Sequence, residues 1–220
     1  MEEKRYDAVI FDVDGTLIHT SNEYIDLVFG LTFDELKIRG DLELKKRLWY
    51  SPNRDEVVKE IYPSVDEFWS VFDLKQTQNK EIRKRNSDVY CLDDLIVLDL
   101  LKNVYGAKLG IVTNSTKEML GVLTEKLDKD RFNYVTYVYK KYKSKADGIL
   151  DCMEQIGAKK RNTLYIGNDD IDIASADKVR IDCGVISRPG WIEYEWCVPS
   201  LKAKYNFKEL SDLLELFPKI

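Results

Sequence analysis

Residues 8–17 read Ala8-Val9-Ile10-Phe11-Asp12-Val13-Asp14-Gly15-Thr16-Leu17, and this stretch decides the fold. Its four leading apolar residues, with Val9 and Ile10 β-branched, predict a short strand buried on both faces. The strand then delivers Asp12 and Asp14 and stops at Gly15. Asp-Gly alone is ordinary turn chemistry. A pair of carboxylates at the edge of a core is different: the acids repel each other and lose hydration, so a cation belongs beside them. A hard cation such as Mg²⁺, held by a carboxylate and a backbone carbonyl, meets that need.

Working outward, residues His19 to about Asn86 show helical patterns and no strand. Thr32-Phe33-Asp34-Glu35 and Ser64-Val65-Asp66-Glu67 each fit a capping box. Gly40 reads as a helix stop, and Pro52 and Pro63 as helix boundaries. The aromatic residues of this block (Trp49, Tyr50, Tyr62, Phe68, Trp69, Phe72) read first as the core of a small helical bundle, with a ligand pocket as the alternative. The basic run Lys80–Arg85 reads as a solvated helix face, with phosphate attraction as the alternative.

From Asp93 strands and helices alternate. A helix over Asp93–Tyr105 ends at Gly106, and Lys108–Thr113 is a buried strand. Ser115-Thr116-Lys117-Glu118 opens a helix, Tyr134–Tyr139 is a strand, and Ser144-Lys145-Ala146-Asp147 opens a helix ending at Gly157. Thr163–Ile166 and Ile181–Ile186 are further strands, and Asn206 caps a last helix that Pro218 ends. This rhythm predicts an α/β fold, a Rossmann-like doubly wound parallel sheet of about five strands with an inserted all-α unit. The core domain takes residues 1–18 and 90–220, and the helical cap 19–89.

The chain has 220 residues and is 44% hydrophobic, enough for a large core. Its net charge of −5 speaks against nucleic acid as a partner. The polar N-terminus Met1–Arg5 has no apolar run behind it long enough for a signal peptide or a membrane span, which predicts a cytoplasmic protein. Cys91, Cys152, Cys183 and Cys197 form no C-x-x-C pair and read as reduced, mostly buried thiols.

Ligands of such a sheet sit at the carboxyl ends of its strands. The first strand ends in Asp12 and Asp14, the second in Thr113 and Asn114 just before a helix N-terminus, which is a natural anion site. After the third come Lys143 and Lys145 at a helix start, where the dipole disfavours a cation unless carboxylates or phosphate face it. Ser144 as N-cap favours Lys145 of the two. The fourth ends in Gly167-Asn168-Asp169-Asp170-Ile171-Asp172, again a cluster that wants a cation.

In this order, DxDGT, strand-end Thr, lysine at a helix start and an acidic cluster resemble the four motifs of the haloacid dehalogenase-like (HAD) hydrolase superfamily. "DGTLIHTSNEY" and "GNDDIDIASA" are most similar to its phosphoglycolate-phosphatase-like branch with a C1-type helical cap. The resemblance implies a Mg²⁺-dependent phosphatase acting on a small phosphorylated metabolite through an aspartyl-phosphate on Asp12. It gives Asp14 the acid/base role, and Thr113, Asn114 and Lys145 (or Lys143) the phosphoryl group. The metal would fall to Asp12, Asp14, Asn168, Asp169 and Asp172. The usual Gly-Asp of the fourth motif is Gly167-Asn168 here, so Asp169 is the favoured substitute ligand and Asp172 an orienting group. A phosphomutase of the same fold, or a degenerate non-catalytic member, is the alternative. A signalling receiver domain shares the residue types but is much shorter and lacks the insert.

Overall fold

The computed structural model describes residues 6–51, 53–187 and 198–218. The readings of Met1–Arg5, Pro52 and Cys197 lie outside the described residues.

The first strand, β1 (Ala8–Phe11), is completely buried and lies at the centre of a parallel sheet. Side chains alternate along it, so Val9 and Phe11 enter one apolar layer and Ala8 and Ile10 the other. Such a strand must be apolar at every position, which is why it reads as a continuous run. A short antiparallel ribbon, β2 (Ile18–Thr20) with β3 (Ser87–Val89), carries the chain out of the sheet and back, pairing Ile18 with Val89 and Thr20 with Ser87.

Between its strands lie α1 (Asn22–Leu36), α2 (Leu42–Tyr50), α3 (Arg54–Ile61), α4 (Val65–Gln78) and α5 (Lys80–Arg85). These helices close on a core of their own, where Phe29 stacks on Phe72 with ring centroids 4.7 Å apart. Two local readings change here. Thr32 lies inside α1 with its hydroxyl donating to the Val28 carbonyl at 2.8 Å, and Ser21 is the N-cap. The apolar stripe Ile25, Val28, Phe29, Phe33 continues through Thr32, and packing overrides the capping-box pattern. Helix α1 also ends at Leu36, on a left-handed Lys37, before Gly40. Ser64 does cap α4, accepting from the Glu67 amide.

The chain then alternates: α6 (Leu92–Asn103), β4 (Lys108–Thr113), α7 (Lys117–Leu127), β5 (Tyr134–Tyr137), α8 (Lys145–Ile156), β6 (Thr163–Gly167), α9 (Asp170–Val179), β7 (Asp182–Ile186) and β8 (Tyr205–Phe207). Sheet order is β5-β4-β1-β6-β7-β8, every pair parallel. Helices α6 and α7 cover one face and α8 and α9 the other. The doubly wound parallel fold is as expected, with six strands in the described sheet instead of about five. The sixth comes from the predicted last helix: Asn206 pairs with Val185 in the sheet and cannot cap. Leu210–Leu216 is instead a 3₁₀ segment started by a reciprocal Glu209–Asp212 cap. Phe207 packs into the core beside Leu210 and Leu213, so burial fixes the strand.

Candidate active site

The loop after β1 folds back tightly. The Val13 carbonyl accepts from the amides of Thr16, Leu17 and Ile18. Gly15 takes φ of 79°, and a β-carbon there would collide with the Asn168 side chain. This turn leaves Asp12 buried at the strand end, its amide donating to the Ile166 carbonyl at 2.8 Å. Asp14, two residues on, is partly exposed.

Lys145 starts α8, where Ser144 is the N-cap. Its Nζ donates to Asp12 Oδ1 at 2.8 Å and to Asp172 Oδ1 at 2.5 Å, with only 2% of the side chain exposed. Lys143 is exposed. The same N-cap geometry that fixed the reading from sequence therefore turns Lys145 inward and Lys143 outward.

Asp172 is fully buried and saturated. Besides Lys145 it accepts from the Tyr165 hydroxyl and from the backbone amides of Asn168 and Asp169. Both of its oxygens hold the loop and the lysine. Gly167 is required because a β-carbon there would strike the Asp172 carboxyl at 2.2 Å. Asp169 caps α9 through Oδ1, which accepts from the Asp172 amide, while Oδ2 lies 3.8 Å from Arg54 of α3. Asn168 Oδ1 accepts from the Thr16 hydroxyl at 3.2 Å. Asp170 faces away, bound to Ser200 and the Leu201 amide.

Both side-chain oxygens of Asp14 are also engaged. One oxygen is held by Arg83 and the other by the Ser115 hydroxyl at 2.9 Å. Arg83, from the basic run on α5, is 1% exposed and lies over the rings of Trp49 and Tyr24 at 4.7 and 5.0 Å. Its Nε and Nη1 have no hydrogen-bond partner among the described residues. This residue was missed because Lys80–Arg85 reads as a solvated face.

Thr113 ends β4, buried, with its hydroxyl accepting from the Ser115 amide at 3.3 Å. Thr116, one residue beyond the predicted cap, is the true N-cap of α7, leaving Ser115 free to reach Asp14. Asn114 and Thr113 line, with Asp12, Asp14 and Lys145, a cavity of about 360 Å³ whose roof is the helical insert.

The electrostatics are those of a site short of positive charge. Burial, helped by the Asp172 charge and opposed by Lys145, pushes the Asp12 carboxyl up to about 7. Burial and Asp172 also push Asp169 up to about 7. Burial also works against the Asp172 charge, yet Lys145 and the two amides hold its carboxyl below the usual range. Burial disfavours the Lys145 charge, yet Asp12 and Asp172 outweigh it and raise the ammonium pKa. Lys145 thus pairs with two buried acids, Asp12 and Asp172, while the third, Asp169, has Arg54 at 3.8 Å, and the excess of carboxylates suits a divalent ion with oxygen ligands. No group of three or more His, Cys, Asp and Glu among the described residues stands ready to hold a metal. Mg²⁺ asks for less, binding through one or two carboxylates plus carbonyls, waters and phosphate. Asp12, Asp169 and the Asn168 amide oxygen fit that chemistry.

These features place the chain among doubly wound α/β enzymes that carry a helical insert after the first strand. The family model of the haloacid dehalogenase-like hydrolases matches residues 9–186, and the chain belongs to that family. It is an enzyme, a hydrolase of that family. Pyrophosphatase PpaX of Bacillus cereus strain B4264 is 26% identical over 229 aligned residues, covering 96% of each chain. Pyrophosphatase PpaX of Halalkalibacterium halodurans is 25% identical, covering 95% of each. A haloacid dehalogenase-like family hydrolase from Streptococcus pneumoniae has the same fold, with a TM-score of 0.75 at 17% identity over 96% of this chain and 97% of that one. No helix among the described residues is long and apolar enough to cross a membrane.

Proposed function

We propose that the chain is a Mg²⁺-dependent phosphatase that hydrolyses a small phosphorylated metabolite through an aspartyl-phosphate on Asp12. The observation that carries this reading is the buried Lys145–Asp12 contact at the floor of a roofed cavity, 2.8 Å long. An Asp12 oxygen attacks phosphorus, the ester P–O bond breaks, and Asp14 gives its proton to the departing oxygen. Water then attacks the aspartyl-phosphate while Asp14 takes its proton, which releases phosphate and regenerates Asp12. Thr113, Asn114 and the amides at the start of α7 bind the phosphoryl oxygens, and Lys145 offsets their charge. Ser115 and Arg83 keep the Asp14 carboxylate oriented. Bound Mg²⁺, held by Asp12, Asp169 and Asn168, would supply further positive charge at the phosphoryl group.

Residues 1–18 and 90–220 act in this reading as the catalytic core and 19–89 as the cap that selects substrate. The free, buried Cys152 and Cys183 suit a reducing cytoplasm. A phosphate-release assay with p-nitrophenyl phosphate, with and without Mg²⁺, tests the reading. Metal-dependent release that disappears in Asp12→Asn supports it. A folded wild-type protein that releases no phosphate refutes it.

A further inference from the structure

The cavity over Asp12 has a roof that says what leaves, not only what is cleaved. Its cap-side wall is largely aromatic, with Trp49, Trp69 and Phe72 facing the space. Trp69 meets Phe72 edge-on at 5.3 Å, and its indole N–H is fixed by Asp55 at 2.8 Å, so the ring is held in place. Ser51, Arg54, Asp55, Asp73 and Gln76 supply polar groups between these rings. Asp73 and Gln76 on α4 line the cavity together, with Tyr139 of the core beside them. Apolar walls with a few convergent polar groups are the usual form of a pocket for an organic ring.

Charge narrows the choice further. Among the described residues, Asp12, Asp14 and Asp169 below and Asp55 and Asp73 above share the cavity lining with two cations, Lys145 and Arg54. Lys145 is committed to Asp12 and Asp172, and Arg54 lies against Asp169. A second anionic group on the substrate would therefore meet carboxylates in excess of lining cations, and aromatic faces, and would lose its hydration without replacement. A phosphoryl group at the floor with an uncharged ring above it meets neither cost.

Resting on the phosphatase reading, we infer that the substrate is a phosphomonoester whose alcohol half is an uncharged ring compound of nucleoside type. One face of the ring lies on Trp49 and Trp69, and its N–H or O–H groups donate to Asp73. The inference excludes pyrophosphate and phosphorylated carboxylic acids as best substrates, although the curated relatives are named pyrophosphatases.

The test compares kcat/KM of the full chain with Mg²⁺ for adenosine and uridine 5′-monophosphates, pyrophosphate, 3-phosphoglycerate and acetyl phosphate, the last too small to reach the roof. A nucleoside monophosphate should exceed pyrophosphate and 3-phosphoglycerate by at least about tenfold, which corresponds to about 1.4 kcal/mol. Trp69→Ala and Asp73→Asn should each raise KM for the nucleoside monophosphate several-fold more than for acetyl phosphate. Hydrolysis of acetyl phosphate with pyrophosphate or 3-phosphoglycerate preferred overturns the inference and leaves the phosphatase reading intact. If no phosphate is released from any compound, that reading fails and binding decides the pocket. Quenching of tryptophan fluorescence by adenosine 5′-monophosphate, weakened in Trp69→Ala, then supports the ring site, and absence of quenching overturns it.

Discussion

Replacing Lys145 by methionine keeps the volume of the buried stem and removes its charge from between two acids. Asp12 and Asp172 are 8% and 0% exposed at their side chains, so the two carboxylates are left largely desolvated when the ammonium is removed. Asp172 retains the Tyr165 hydroxyl and two amides, and Asp12 loses the only side-chain donor described for it. Breaking a buried pair by removing one partner costs about 3–5 kcal/mol. In a chain of this size each kcal/mol lowers the melting temperature by roughly 2–4 °C, so a fall of roughly 6–20 °C is expected. Thermal unfolding at pH 8 in metal-free buffer measures it. Adding Asp172→Asn to Lys145→Met removes one of the stranded charges, and a coupling of about 0.5–3 kcal/mol should appear in the cycle. Lys143→Ala, at an exposed position, should lie within about 0.5 kcal/mol of wild type. Turnover on p-nitrophenyl phosphate should fall at least about 10²-fold in Lys145→Met and hardly at all in Lys143→Ala. A Lys145→Met protein that melts with wild type, or a larger loss of activity from Lys143→Ala, would refute the reasoning.

Arg83→Leu removes the guanidinium that holds Asp14 but also two buried nitrogens without hydrogen-bond partners among the described residues, so stability should change by less than about 2 kcal/mol while kcat falls about 10²-fold or more. Equal losses of kcat in Arg83→Leu and Arg83→Lys would argue against charge-dependent positioning. Asp169→Ala should raise the Mg²⁺ concentration for half-maximal activity at least about tenfold. Asp172→Ala should mainly lower stability, and a Mg²⁺ titration showing the reverse would exchange the two roles. Burial, with the nearby Arg83 charge, lowers the His19 pKa to about 4, so the folded protein resists a proton that the unfolded chain accepts near 6.5. Stability from this group is complete above about pH 6.5 and lost as pH falls toward 4; allowing for solvent at the ring, it amounts to roughly 2 kcal/mol. Chemical denaturation at pH 7.5 and 4.5 should show a smaller acid loss in His19→Gln, and an equal loss would remove His19 from the account.

The parts of the site that lie at strand ends were readable because each follows a run that has to be buried. Ala8–Phe11 and Leu109–Val112 announce themselves by unbroken apolar character, and whatever polar residue follows them stands at the carboxyl edge of the sheet. Ser144 was equally informative, since an N-cap sets the direction of the next side chain. Position within the fourth motif was partly readable: Asp169 and Asp172 stand at capping-box spacing, and the structure uses both carboxylates that way. That is a local signal for Asp172 facing inward to backbone amides. Arg83 was hidden for a different reason. Its environment is made by Trp49, Tyr24 and Asp14, which come from three distant segments, and no local pattern separates it from its charged neighbours. Strand β8 was lost similarly, since three residues ending in Phe207 carry less pattern than the helix-like spacing around them, and pairing with β7 decided the outcome.

The account rests on Asp12 taking up the phosphoryl group, and the direct measurement is to trap it there. The Asp14→Asn variant, deprived of the group that activates water, is mixed with acetyl phosphate and Mg²⁺, quenched in acid and digested for peptide mass spectrometry. The account predicts one added phosphoryl group on the peptide spanning Asp12, absent when Asp12→Asn is combined with Asp14→Asn. A phosphoryl group on any other residue, or none on a variant shown to be folded and to bind phosphate, would contradict it.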